Sequence, residues 1–423
     1  MVHRILILII AGLTSVCSVR AGGSVFAPNG LGEQLTGGGA RVQGLGGGGI
    51  ALADSLSFNT QNPALAAFAP RTIFRVGGEL GLWSTTADGR TETDAEVLWK
   101  DFAIYWPVTR AWRVGLGAAP TRHMDLHTFG LHTAVFPQPG GGAASEVIYE
   151  ERNVWQGSAV DWRVDNAIRL GERGALGVSA VYTALRNERE RILDMEEVVA
   201  RSYYFDTEYH ETERFNGWSV VGGLYVNPAP KWGLAVTFRP RTGGRWRYTL
   251  TKLGSDSTVK TDRRGDMPGE IRLGASYRPG KRLVAVADLQ LGQWSQDDLG
   301  IMADRASLPA PENPLFISAG VERLAGYSPL YSGGQNWAFR GGAYYRRHYW
   351  PLRSGQAVED LGVTAGFSVP MNGMQTWLHT ALEGGLRGLD ENKLGAREVF
   401  FRVSLQMEFS ETWFQRTRPR LPR

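Results

Sequence analysis

Cysteine is almost absent from this sequence: among 423 residues the single thiol is Cys17, inside the first twenty positions. Downstream of it no disulfide can form and no thiolate can hold a metal. Long hydrophobic runs are just as scarce. A membrane-crossing helix needs roughly 17 to 25 apolar residues. None occurs beyond position 20, and mean hydropathy is negative at -0.23, so a helical membrane protein is excluded. There is also no block of one charge before the final residues, because 46 Lys and Arg are scattered among 42 Asp and Glu. The net charge of +4 therefore describes a solvated surface or a polar interior rather than a nucleic-acid-binding face.

Catalytic signatures are missing too. The glycine-rich stretch Gly37-Gly38-Gly39, Gly44 and Gly46 to Gly49 lacks the Gly-Lys-Ser/Thr ending of a phosphate loop and opens no βαβ unit. No Gly-x-Ser-x-Gly elbow is present, and no serine, histidine and acid group together. The expectation is a protein without enzymatic activity or cofactor. His123, His127 and His132 do cluster as H-x3-H-x4-H with Asp125 between them. A metal site needs a further ligand and fixed geometry, and a polar loop accounts for three histidines without one, so no metal is expected.

What the sequence has is glycine, 54 residues of it, and period-two alternation. From Val399 the apolar side chains Val399, Phe401, Val403, Leu405, Met407 and Phe409 alternate with Arg402, Ser404, Gln406 and Glu408. The same period places Ile271, Leu273, Ala275 and Tyr277 opposite Arg272, Gly274 and Ser276, and Leu378, Leu382 and Leu386 opposite His379, Glu383 and Arg387. In a soluble sandwich the apolar face is the core. Here the opposite face carries ionisable groups and glycine, tryptophans sit at segment ends (Trp83, Trp106, Trp232, Trp294, Trp337, Trp350, Trp413), and connections are unequal. Tight turns at Pro228 to Pro230 and Pro279-Gly280 contrast with long loops at about 122–153, 189–213 and 296–313. These are the marks of an all-β, transmembrane antiparallel barrel, which must close to satisfy its backbone. About 14 strands fit between Thr72 and Phe409.

The domain reading follows. Residues 1–21 form a signal peptide, with basic His3 and Arg4, an apolar run from Ile5 to Leu13 and small residues before Ala21. Residues 22–70 form a glycine-rich plug, 71–414 the barrel and 415–423 a basic tail.

Within this frame Gly30-Leu31-Gly32, Ala51-Leu52-Ala53-Asp54 and Asn62-Pro63-Ala64-Leu65 resemble the start of the outer-membrane long-chain fatty-acid transporters of the FadL type. Pro268 to Tyr277, Asp288 and Trp294-Ser295 are similar to a pattern in that family's later strands. The stretch Arg41 to Asp54 also resembles PorV-type barrels, which act as shuttle components in protein secretion. The resemblance implies an outer-membrane location, a plug motif at Asp54, Asn62, Pro63 and Ala64, and passive uptake of a hydrophobic molecule such as a fatty acid. Its implied partners are the lipid bilayer and the outer-membrane assembly machinery, with Phe401 to Phe414 as the assembly signal; no nucleic acid is implied. Phe129, Leu131, Val135 and Phe136 form the candidate ligand-capture loop, and a second loop carries apolar residues from Ile192 to Tyr204 at helix-like spacing. Arg272, Asp288, Arg340, Arg346, Glu383 and Arg402 are the candidate lumen residues, placed to attract a carboxylate or to brace the wall as ion pairs.

Overall fold

The computed structural model describes residues 23–54, 57–87, 89–136, 145–195, 207–253, 257–295, 310–325, 336–352, 355–371, 376–389 and 395–411. The expected signal peptide, the basic tail and positions 412–414 of the expected assembly signal lie outside them. The barrel strands are β1 (Thr72–Ala87), β2 (Arg90–Pro107), β3 (Trp112–Phe136), β4 (Ser145–Leu170), β5 (Gly174–Met195) and β6 (Thr207–Ala229). They continue with β7 (Trp232–Arg239 and Thr242–Leu253), β8 (Ser257–Met267 and Glu270–Tyr277), β9 (Leu283–Gly292) and β10 (Leu315–Arg323). The last four are β11 (Ala338–Pro351), β12 (Ala357–Met371), β13 (Thr376–Arg387) and β14 (Ala396–Glu411).

β7 and β8 are each broken once, at Pro240 and at Pro268-Gly269, because proline cannot donate to a ladder. Both halves of β7 nevertheless pair with β6, and the halves of β8 pair with those of β7. Every neighbour is antiparallel, and β14 returns to β1 from Ala396↔Ala87 to Glu411↔Thr72. The result is a closed 14-strand barrel, as the alternation predicts.

The wall obeys the period of two. On β14, Val399, Phe401 and Leu405 are exposed while Glu398, Phe400, Arg402, Ser404, Gln406 and Glu408 are buried. On β13, Leu382 is exposed while His379, Glu383 and Arg387 are buried. The apolar face looks outward and the polar face inward, the reverse of a soluble sandwich.

Two expectations need correction. Strands were expected to have bilayer-crossing length, and 122–153 and 189–213 to be loops. Instead β3 runs unbroken to Phe136 and β4 begins at Ser145, while β5 continues to Met195 and β6 starts at Thr207. The polar alternation in these stretches pairs across strands: His127↔Val154, Val154↔Glu190 and Glu190↔His210 form one continuous row. A strand of 26 residues such as β4 extends about 85 Å, against roughly 30 Å of hydrocarbon, so this sheet projects far beyond any bilayer. Ile192 to Met195 belong to that sheet rather than to a helix, and 196–204 lie outside the described residues. The second correction concerns the tryptophans. Trp83, Trp294 and Trp350 are buried inside the barrel, and the outward aromatic row is Trp162, Tyr182 and Trp218, with Trp162 56% and Trp218 66% exposed. Trp232 and Tyr277, with rings 4.7 Å apart, mark the opposite rim.

The described residues from 23 to 69 fill the lumen and supply much of the molecule's core. Phe26 and Leu31 pack with Phe215, Trp246, Trp294, Tyr349 and Trp350 at the end bearing the projecting sheet. Ile50, Phe58 and the Pro63–Phe68 turn pack with Tyr105, Ala167, Ala175 and Tyr225 near the end where β1 begins and β14 stops. The chain thus descends the whole lumen before entering the wall.

Candidate functional site

The plug is held by polar ties to the wall. Arg41, on the short helix Gly39–Gln43, reaches Glu322 of β10 at 2.7 Å and Asp54 of the plug motif at 2.7 Å. Gln43 donates to Glu79 at 2.7 Å and to Glu383 at 2.5 Å. Asp288 accepts the backbone amides of Gly49 and Ile50 at 2.7 and 3.0 Å. Asn62 does two jobs: its Oδ1 accepts the Ala64 amide at 3.0 Å, capping the Pro63–Phe68 turn, and its Nδ2 donates to the Ile50 carbonyl at 2.9 Å.

Charges facing the lumen are buried in pairs. Arg387 lies 2.8 Å from Asp360, 3.4 Å from Glu398 and 2.6 Å from Glu33 of the plug. Arg402 contacts Glu33 and lies 3.2 Å from Glu383. Burial pushes the Glu33 carboxyl up, but Arg387 and Arg402 outweigh it and hold it well below the ordinary carboxylate range. Arg75 adds a third centre, 3.3 Å from Asp101 and 3.4 Å from Glu408.

One seam of the wall is incomplete. β2 and β3 pair only from Phe102↔Ala118 to Pro107↔Arg113. Beyond the row containing Phe102, Ala118 and Trp162, β2 continues to pair with β1 and β3 with β4, but not with each other. The register of β3 shifts between Pro120 and Arg122, where proline removes a ladder donor. The plug occupies the freed inner edge: Glu33 and Gln34 pair with His123 and Arg122, and the Leu35 amide donates to the Thr121 carbonyl at 3.0 Å.

A cavity of about 420 Å³ opens at this seam, lined by Leu98, Trp99, Pro120, His123, Met124 and Asp125 among others. A second cavity, about 150 Å³, lies inside against the plug and includes Gln34, Pro120, Arg163, Arg239, Arg272 and Trp294. Pro120 lines both, so only the kinked strand and the plug segment Glu33–Leu35 separate seam from interior.

The lumen residues named from sequence all turn inward, mostly in bracing contacts. Arg402 pairs with Glu383, Arg340 lies 3.3 Å from Glu322 and Arg272 lies 3.0 Å from Glu270. Arg346 donates to the plug at the Gln34 carbonyl and Thr36 Oγ1, at 2.9 and 2.8 Å. Of the proposed capture loop, Phe129 and Leu131 are 63% and 59% exposed on β3; the side chains of Val135 and Phe136 lie outside the described set. Glu33 and the seam carry no motif in the sequence, and Arg41 and Arg387 are seen there without their roles as ties between plug and wall. Arg387 was visible in the alternation of β13, but nothing local marked its partner 354 positions away.

The three histidines do not converge. On a strand His123 and His127 share one face and His132 takes the other, where it lies 3.7 Å from Glu151. His123 instead meets Glu96 across the seam, and with Asp125 their ligand-type atoms lie within 4.8 Å of one another. Glu190, Glu208 and His210 form a similar group on the projecting sheet.

No curated protein sequence matches the chain. A family model described as BamG matches residues 248–419. Among solved structures the chain is similar to a Pseudomonas aeruginosa FadL homologue, with TM-score 0.61 and 12% identity over 89% of this chain and 99% of that one. It is also similar to the Ralstonia pickettii toluene transporter TbuX, at 0.58 and 15% over 89% and 99%. For the CymD monoaromatic hydrocarbon channel the values are 0.57 and 14% over 90% and 99%. The shared feature is the fold, and it agrees with the FadL-type resemblance carried by the N-terminal motifs.

Proposed function

We propose that the protein is a passive outer-membrane channel, without catalytic activity, that admits hydrophobic molecules through the seam between β2 and β3. The carrying observation is the interrupted ladder beyond Phe102↔Ala118, backed by plug rather than wall. The ladder stops at the row of the outer aromatic girdle and stays open beyond it, leaving backbone groups of both strands without their ladder partners where the wall meets the headgroups, so the unclosed seam needs a compensating use. The ends of the barrel fit this placement: β1 begins and β14 stops at the periplasmic rim, and the long strands project outside the cell.

The seam cavity combines Leu98, Trp99 and Met124 with ionisable His123, Asp125, Arg186 and Glu188. That mixture suits an amphiphile with an apolar chain and one polar end, and a long-chain fatty acid is the class favoured by the plug motifs. The solved relatives named as toluene or monoaromatic hydrocarbon channels support a smaller apolar cargo on the same route. Exposed Phe129 and Leu131 favour a second reading, a barrel that partners a secreted or assembling protein at its outer face. Lipid extraction and mass spectrometry of the detergent-purified protein tests the choice. A bound acyl compound supports the channel, whereas an empty barrel with a stoichiometric protein partner overturns it.

A further inference from the structure

The outward face of β5 to β8 carries a run of arginine that starts at Arg186, on the rim of the seam cavity, and leads away from the seam. Register places Arg186 opposite Arg214, Arg214 opposite Arg247 and Arg247 opposite Asp262, one row across four strands. In the next outward row Arg245 stands opposite Arg264. Like charges directly opposite on neighbouring strands destabilise a sheet, and here three guanidinium groups stand side by side. Counting Lys260, the patch holds six exposed cations against the carboxylates Glu188, Asp262 and Asp266. Those acids do not neutralise it. Arg245 and Arg247 share Asp262 at 2.6 and 3.7 Å, Arg186 contacts Glu188, and all these side chains are more than 40% exposed. Exposed pairs of this kind contribute little. Arg214 has no acidic partner among the described residues.

The height of the patch identifies its ligand. Tyr182 and Trp218, in the outer aromatic row, are each four residues from the arginine row, on β5 and β6. That is about 13 Å along the strand and roughly 10 Å above the aromatic girdle after tilt. Below the girdle Val164, Val178, Ile168 and Val220 are exposed and apolar. The arginines therefore stand at headgroup level, facing away from the lumen. Guanidinium groups bind phosphate through paired N–H donors, and several neighbouring ones suit a headgroup with more than one phosphate.

We infer that the row Arg186, Arg214 and Arg247, with Arg245 and Arg264, is a binding site for a phosphorylated lipid of the outer leaflet, which docks its phosphates on the patch and its acyl chains on the apolar band below. The inference rests on the outer-membrane reading, but not on which cargo the seam admits.

The test uses the full-length protein in mild detergent. Native mass spectrometry counts bound lipid after incubation with a bisphosphorylated lipid A or its dephosphorylated form. The expected result is at least tenfold preference for the phosphorylated lipid, lost in R186Q/R214Q/R247Q, reduced in Arg214→Gln, and unchanged in Lys281→Gln, an exposed cation on the opposite rim. Equal binding of both lipids, undiminished binding by the triple variant, or equal loss in Lys281→Gln overturns the proposal. Heat-modifiable gel mobility separates this from failure of the membrane reading: a folded barrel that ignores phosphate contradicts the site, and an absent heat-modifiable band contradicts the barrel. Should the triple variant not fold, Arg214→Gln carries the comparison alone.

Discussion

Arg387 of the barrel wall donates to Glu33 of the plug across 2.6 Å, with both side chains almost wholly removed from solvent. The contact joins residues 354 positions apart and ties plug to wall beside the seam, since Glu33 also pairs with His123 on β3. Removing one partner of a buried ion pair costs more than the pair itself contributes, because the other charge is left uncompensated. Glu33→Gln is expected to weaken plug docking by about 3 kcal/mol, the low end of that range, since Arg387 keeps Asp360 and Glu398. Liposome-swelling assays should show several-fold faster leakage of small sugars with heat-modifiability unchanged.

The same residue sets a pH dependence. Its folded-state carboxyl is held below the ordinary value by Arg387 and Arg402, against burial. A depressed carboxylate contributes stability that is fully present above its unfolded value, near about 4.3, and is lost only as pH falls through the folded value. The difference in leakage between wild type and Glu33→Gln should therefore stay constant from pH 8 to about pH 5 and shrink in more acidic buffer. A difference that disappears already at pH 6 would mean that Arg387 and Arg402 do not hold Glu33 charged.

Gly342 of β11 makes room for a close approach of the plug to the wall: a Cβ there would lie 2.4 Å from the Leu45 carbonyl carbon. Opposite it, Gly46 has φ +73° and its own Cβ would meet the Ala343 oxygen at 2.7 Å. Gly342→Val is expected to displace the 45–46 turn at a cost of about 1–3 kcal/mol, the usual penalty for overpacking. Protease sensitivity of the plug should rise while the barrel resists; an unchanged digestion pattern counts against this packing.

Asn62 supplies a third handle. Asn62→Ala removes the cap on Pro63–Phe68 and leaves the Ile50 carbonyl without its side-chain donor. A loss of about 1–2 kcal/mol is expected, read as a lower temperature for plug release in a fluorescence assay on labelled residue 68.

Much of this architecture was legible in the alternation. On β14 every second residue from Val399 is apolar, and a pattern of period two fixes which side faces lipid, so barrel and polar lumen followed. Asn62-Pro63-Ala64 stood out through the family resemblance, and its cap is local in sequence. Strand length was not, because beyond the bilayer the outward face turns polar and His127, Glu190 and His210 look like loop residues until they pair. The tryptophans misled for a related reason: Trp83 and Trp350 fill the lumen around the plug, a role composition cannot separate from a girdle. The seam was invisible because it is a missing pairing, and Pro120 was the one residue that marked it.

The most direct measurement locks that seam. Leu98 and Met124 both line its cavity, from β2 and β3, and the chain's only native thiol is Cys17. L98C/M124C can therefore be bridged by a short bis-maleimide without competing thiols once Cys17 is removed or replaced. If hydrophobic molecules pass through the seam, bridging should abolish uptake of a labelled fatty acid or small aromatic by proteoliposomes, while either single variant treated alike transports normally. Full uptake by the bridged protein would contradict the account and move the route to the lumen's axis.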